Sequence, residues 1–151
     1  MRSQAICLAL VVAILCPCAS AQWKQTNGPY GGYVNALAVS GTNIFAGTSG
    51  GVFLSTNNGT NWSPAGLTNF DVQALAVGGT NLFAGTYGTG VFLSTNKGAS
   101  WTAASTGLTS THVWALAVSG TNLFAGTERG VFLSTNNGTN WSPAGLTNFD
   151  V

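Results

Sequence analysis

Charge is what this chain has least of. Only 5% of its residues are Asp, Glu, Lys or Arg. Beyond residue 21 the cations are Lys24, Lys97 and Arg129, balanced by Asp71, Glu128 and Asp150. So few cations cannot track a phosphate backbone, which argues against a nucleic-acid-binding surface. Cysteine is missing from the same region, because Cys7, Cys16 and Cys18 all precede residue 22. That region therefore holds no disulfide, no thiolate nucleophile and no cysteine metal site, and packing and backbone pairing must stabilise it. No window sustains a 3.6-residue apolar period, so helices are not expected. Scarce charge signals disorder only when hydrophobicity is also low, and here 45% of the residues are hydrophobic.

The first 21 residues stand apart. Arg2 is followed by the apolar stretch Ala5 to Cys16, then by the small residues Ala19-Ser20-Ala21. This is the layout of a secretory signal peptide over 1–21, cleaved before Gln22. The apolar stretch would span roughly 18 Å as a helix, too short for a hydrocarbon core of about 30 Å. A lipoprotein is disfavoured, because neither Cys16 nor Cys18 follows the small residue expected ahead of a lipidated cysteine. The expected location is secreted, extracellular or periplasmic, with no membrane attachment after cleavage.

The rest of the chain repeats itself. Gly51 to Val72 recurs without change as Gly130 to Val151. Cut at tryptophan, the units are 23–61, 62–100 and 101–140, with a partial unit at 141–151. Such self-similarity marks a repeat architecture. Each unit contains short runs rich in Val, Leu and Phe, for example Val72 to Val77, Asn81 to Thr86, Gly90 to Ser94 and the segment from Trp101. Gly, Asn, Ser and Thr separate them, which reads as strands and turns. The turn Gly79-Thr80-Asn81 supplies residues that accept positive φ, and Asn58-Gly59 and Asn137-Gly138 are type I′ hairpin signals. The first run is apolar on both faces, as in a strand covered on both sides. Four antiparallel strands per unit of about 40 residues is a β-propeller blade. A parallel β-helix is the alternative, but its coils are usually shorter. The expected fold is all-β, with three propeller blades and a partial fourth in an incomplete ring. Further blades of the same protein, or self-association, would close that ring.

The turns before each tryptophan share one pattern. They read Ser55-Thr-Asn57-Asn-Gly59-Thr-Asn61-Trp62, Ser94-Thr-Asn96-Lys-Gly98-Ala-Ser100-Trp101 and Ser134-Thr-Asn136-Asn-Gly138-Thr-Asn140-Trp141. This pattern resembles the Asp box of sialidase-type (BNR) propellers, Ser-x-Asp-x-Gly-x-Thr-Trp, with Asn in place of Asp and Asn or Ser in place of Thr. The flanking phrase FAGT-then-GVFLSTN resembles exported bacterial members of that family. The resemblance implies a structural role: Ser and Asn tie the hairpin, Gly makes the turn, and Trp packs against the neighbouring blade. Calcium binding is disfavoured, because hard cations want carboxylates and these turns have none. Sialidase activity would need an arginine cluster, and Arg129 is the one arginine beyond the leader. Some family members cleave glycosides with a carboxylate pair. Asp71 and Asp150 hold the same repeat position, which duplication explains more simply.

Candidate binding residues follow from comparing the repeats. Strand direction alternates, so GTN turns and tryptophan turns lie on one face and the remaining loops on the other. The first set is nearly constant and the second varies. The variable loops carry Tyr30, Tyr33, Tyr87, His112, Glu128 and Arg129, and Trp114 is the one tryptophan off the repeat pattern. Rigid scaffolds display binding loops in this way. His112 reads as a partly exposed loop residue, Glu128-Arg129 as a solvated turn pair, and Trp114 as a packed residue more readily than a sugar platform. No metal or other cofactor is expected. The reading is a non-enzymatic binding or scaffold module for extracellular carbohydrate or protein. The alternative is a fragment of a propeller glycoside hydrolase whose catalytic residues lie partly in missing blades.

Overall fold

The computed structural model describes residues 25–146. The leader at 1–21, Trp23 and Asp150 lie outside the described residues. Within them the chain forms three four-stranded antiparallel sheets. The first comprises β1 (Val34–Ser40), β2 (Asn43–Thr48), β3 (Gly51–Ser55) and β4 (Ser63–Pro64). The second comprises β5 (Val72–Gly78), β6 (Asn81–Thr86), β7 (Gly90–Ser94) and β8 (Thr102–Ala103). The third comprises β9 (Val113–Ser119), β10 (Asn122–Thr127), β11 (Gly130–Ser134) and β12 (Ser142–Pro143). Strands pair in chain order in each sheet. The innermost strands β1, β5 and β9 lie side by side. These are the blades of a β-propeller, stacked through their faces and forming part of a ring. Among the described residues no helix is long and apolar enough to cross a membrane.

Each blade is dry on two sides because its neighbours cover it. Between the first two blades, Ala36, Ala38, Phe45 and Val52 meet Leu75, Val77, Leu82 and Ala84. Between the second and third, Ala76, Phe83, Val91 and Leu93 meet Leu116, Val118, Leu123 and Ala125. The two junctions thus use one scheme: the small inner-strand side chains of one blade receive the large ones of the next. Glycine completes the fit. A Cβ added at Gly47 would lie 2.7 Å from Val72 Cγ1, and one added at Gly85 would lie 2.6 Å from Val113 Cγ1. Neither valine could seat against a larger residue, so the FAGT glycines set the blade spacing.

The turns follow their residues. Ser40 pairs with Asn43 across a two-residue loop in which Gly41 has φ 61°, and Gly79 and Gly120 repeat that angle. Positive φ at the first central residue is the type II′ hairpin pattern. The asparagines of the GTN turns are not left-handed; Asn43, Asn81 and Asn122 already belong to the second strand. The Asn-Gly turns hold as read. Asn58 and Gly59 have φ of 55° and 79°, and the Thr60 amide donates to the Asn57 carbonyl at 3.2 Å. In the second blade Lys97 is forced into the same region at φ 57°.

Candidate ligand-binding site at the channel mouth

The tryptophan turns close one face of the ring, and their geometry is the same three times. Ser55 Oγ donates to Asn57 Oδ1 at 3.0 Å and accepts the Gly59 amide at 2.9 Å. Asn57 Oδ1 also accepts the Asn61 amide at 2.9 Å. Ser94 and Asn96 form the same set with Gly98 and Ser100. Ser134 and Asn136 form it with Gly138 and Asn140. An amide oxygen accepts these bonds as a carboxylate would, so the Asn-for-Asp exchange keeps the turn. All three serines are buried. The tryptophans then cross the junctions: Trp101 Nε1 donates to the Ala65 carbonyl at 2.8 Å, and Trp141 Nε1 to the Ala104 carbonyl at 2.7 Å.

The opposite face is built by the same scaffold but differs from blade to blade. Each inner strand carries one extra residue at this end, where the register shifts between Val34 and Ala36, between Val72 and Ala74, and at the Gly126/Thr127 step opposite β9. The unmatched residues are Asn35, Gln73 and Trp114. A β-bulge of this kind re-aims a side chain and ends regular pairing. At the first junction it places amides around a carboxylate. Asn35 Nδ2 donates to Asp71 Oδ1 at 3.2 Å, and Gln73 Nε2 donates to the same oxygen at 2.8 Å.

At the second junction the bulge places Trp114 beside two other rings. Tyr87 stacks on His112 with centroids 4.3 Å apart and planes at 29°. Trp114 lies 5.5 Å from Tyr87 and 6.3 Å from His112. The backbone holds them together: Tyr87 and His112 form a bridge between blades, and the Thr111 carbonyl accepts the amides of Gly88 and Gly90 at 3.1 and 2.9 Å. The extra residue in the loop Tyr87-Gly88-Thr89 allows this reach. Glu128 supports the stack from the turn after β10. Its Oε2 lies 2.9 Å from His112 Nδ1, and Ser110 Oγ donates to its Oε1 at 3.4 Å. An ionised carboxylate only accepts, so Nδ1 carries a proton in this arrangement. The His112 hydrogen bond, above all, holds the Glu128 carboxyl below its ordinary value; partial desolvation opposes this, and the His112 charge, Ser110 and Arg129 add to it.

Trp114 stands half exposed here, with Tyr87, so it is not a core residue. Glu128 pairs with His112 rather than forming a turn pair with Arg129, because Val113 pairs with Thr127 in the third sheet and sets the residues beside them, His112 and Glu128, next to each other. Tyr30 and Tyr33 are largely exposed on the first blade, and no ring contact among the described residues joins them to the stack. Arg129 presents its amide to Thr127 Oγ1 at 3.1 Å. Sequence reading missed Ser110; its signal was the change from Leu67-Thr-Asn-Phe-Asp71 to Leu108-Thr-Ser-Thr-His112 at the same repeat position. Among the described residues no group of three or more His, Cys, Asp or Glu is placed to hold a metal ion.

The fold is shared with known β-propeller proteins. The chain is similar to an ancestral GH74 enzyme at 25% identity, with a TM-score of 0.72 over 83% of this chain and 20% of that one. It is similar to YCF48 bound to D1 peptide at 14% identity, with a TM-score of 0.63 over 76% of this chain and 41% of that one. A third likeness is to the GH74 xyloglucanase of Xanthomonas campestris, at 18% identity, with a TM-score of 0.56 over 76% and 24% of the two chains. The chain thus spans less than half the length of each of these proteins. No family model matches it, and no curated protein matches it in sequence.

Proposed function

We propose that this chain is an exported, non-enzymatic propeller module of the Asp-box type that binds extracellular carbohydrate or protein at the variable mouth. The observation that carries this reading is the exposed stack of Tyr87, His112 and Trp114 at the second junction. Aromatic faces left half bare, ordered by backbone bonds between blades, offer apolar area at little entropic cost. The Glu128 carboxylate and the Tyr87 hydroxyl add polar groups beside them.

Support for a binding role over a catalytic one comes from the acids. Glu128 is engaged by His112 and Ser110, and Asp71 by two amides. Both are spent on holding local structure, whereas glycoside hydrolysis requires two carboxyl groups facing one bond with separated pKa values. Of the similar proteins, one is a xyloglucanase and one is bound to a peptide, so carbohydrate and protein both stand as partner classes.

A glycan array followed by calorimetric titration tests the reading. Trp114→Ala and Tyr87→Ala are each expected to weaken binding about tenfold, the effect of losing one stacking partner. Ser134→Ala, on the far face, should leave it unchanged. Binding that survives both aromatic substitutions would remove the stack from the site, and hydrolysis of a bound glycan would overturn the non-enzymatic role.

A further inference from the structure

The face of the tryptophan turns carries a cavity of its own. It opens between the second and third blades and measures about 320 Å³, within the roughly 300 to 1,000 Å³ of small-molecule sites. Phe83 of β6, with Val118 and Leu123 of the third blade, forms its apolar wall. Thr121, Asn122, Thr135 and Asn137 bring hydroxyls and amides to it, and no charged residue among the described ones lines it. The bonds that tie the adjoining turn run through Ser134 and Asn136, and none of them uses the Thr135 or Asn137 side chain.

The repeats show what is particular to this junction. Ten residues line the cavity, and the first junction carries the same residue type at eight of the corresponding positions. The two departures are Gly78, where the other blades have Ser40 and Ser119, and Asn137, where the second blade has Lys97. A Cβ at Gly78 would stand between the blades, 3.4 Å from both Phe83 Cε2 and Val118 Cγ1. That is ordinary van der Waals contact, so a serine fits there and its hydroxymethyl group takes up the floor of the cavity. Glycine leaves the floor open. At the first junction Ser40 stands at the floor position and Lys97 brings a cation to the rim position, whereas the second junction is both wider and neutral.

We propose that this cavity binds one neutral sugar ring, at a site separate from the aromatic stack on the opposite face. A charged ligand would lose its hydration with no opposite charge to meet it, and a wholly apolar one would strip water from four polar side chains without replacing their hydrogen bonds. A sugar ring matches both kinds of wall. Its C–H groups lie against Phe83, Val118 and Leu123, and its hydroxyls reach the amides and the threonines. Each amide offers donors and an acceptor, so Asn122 and Asn137 can each hold two neighbouring hydroxyls, one of which donates while the other accepts. Gly78 admits the ring, and Asn137 sets the preference for a neutral one. The site stands on an exchange in an otherwise repeated junction, and it does not require the mouth to bind anything.

Titration of the isotope-labelled chain with D-glucose, D-galactose and D-xylose, followed by amide chemical shifts, tests this. At least one of these sugars is expected to give saturable shifts at Gly78, Gly79, Gly120 and Thr121. Gly78→Ser and Asn137→Lys each install a residue that the protein already places at the same repeat position, so both should fold, and unchanged amide shifts away from the cavity check that. Each is expected to weaken the sugar about tenfold or more, by filling the floor or by replacing an amide with a cation. Glucuronate and glucosamine should bind more weakly than glucose, and Tyr87→Ala and Trp114→Ala should leave the titration unchanged. The proposal is overturned if none of the three sugars shifts these amides, or if Gly78→Ser and Asn137→Lys bind as the parent does. It is equally overturned if a charged sugar matches glucose, or if the shifts vanish in Trp114→Ala.

Discussion

The two faces of this propeller use the same strands to opposite ends. On the underside, three turns repeat one hydrogen-bond set, with the Ser-to-Gly bond between 2.8 and 2.9 Å each time. At the mouth, the same bulge position carries Asn35, Gln73 and Trp114, and the two junctions diverge into an amide–carboxylate cluster and an aromatic stack. The serines and glycines of these turns are buried and Trp101 and Trp141 span the junctions, so exchanging them would cost packing or leave a polar group unpaired. The mouth residues stand on positions already released from the ladder, where a new side chain disturbs little. Stability is concentrated where the repeats agree, and the proposed binding surface lies where they differ.

That contrast can be broken at several points. The largest effect is expected from Trp141→Ala, which empties a buried site and removes a bond between blades; about 3 to 5 kcal/mol of stability should be lost in urea unfolding. A loss below about 1 kcal/mol would mean that the tryptophan does not join the blades. Next is Ser94→Ala, which strands the buried Gly98 amide and should cost about 1 to 3 kcal/mol by the same measurement. Lys97→Asn runs the other way. It places a residue that tolerates the left-handed region where φ is 57°, and a gain of about 1 kcal/mol is expected, because most side chains are strained there by that amount. An unchanged midpoint would show that the lysine is not strained.

The smallest effect belongs to the mouth. The Glu128 carboxyl is depressed in the folded chain, chiefly by His112. A depressed acid contributes its stabilisation above its unfolded value, near pH 4.3, and loses it as pH falls through the lowered folded value. Tyrosine and tryptophan fluorescence of the stack should therefore show an acid step below the ordinary carboxylate range. Glu128→Gln should remove that acid step with little change in thermal midpoint. An acid step that persists in Glu128→Gln would assign the titration to another group.

Much of this was open to reading along the chain. The strands fall where the apolar runs do: β6 and β7 match the segments Asn81 to Thr86 and Gly90 to Ser94. The Asn-Gly turns adopt the expected signs of φ. The variable positions were also legible, because a repeat exposes its own departures. What could not be read was which departures meet. Tyr87, His112 and Glu128 come from three different connections: the β9–β10 pairing of the third blade joins His112 to Glu128, and the neighbouring blade brings Tyr87 to them. Trp114 reads as packed along the chain but stands half exposed, since an inner-strand aromatic can face a neighbour or the mouth, and a one-residue register shift chooses.

By itself, then, the amino-acid order determined the blade. The alternation of strand runs, the glycine and asparagine at turn centres and the Ser-Asn hairpin tie are local matters, settled within some forty residues by steric limits and short-range hydrogen bonds. Tertiary structure alone decided the junctions: which valine covers which glycine, where the ladder slips by a residue, and which rings stack over which carboxylate. Those outcomes depend on surfaces that exist only once blades lie side by side, because no blade can bury both of its faces alone.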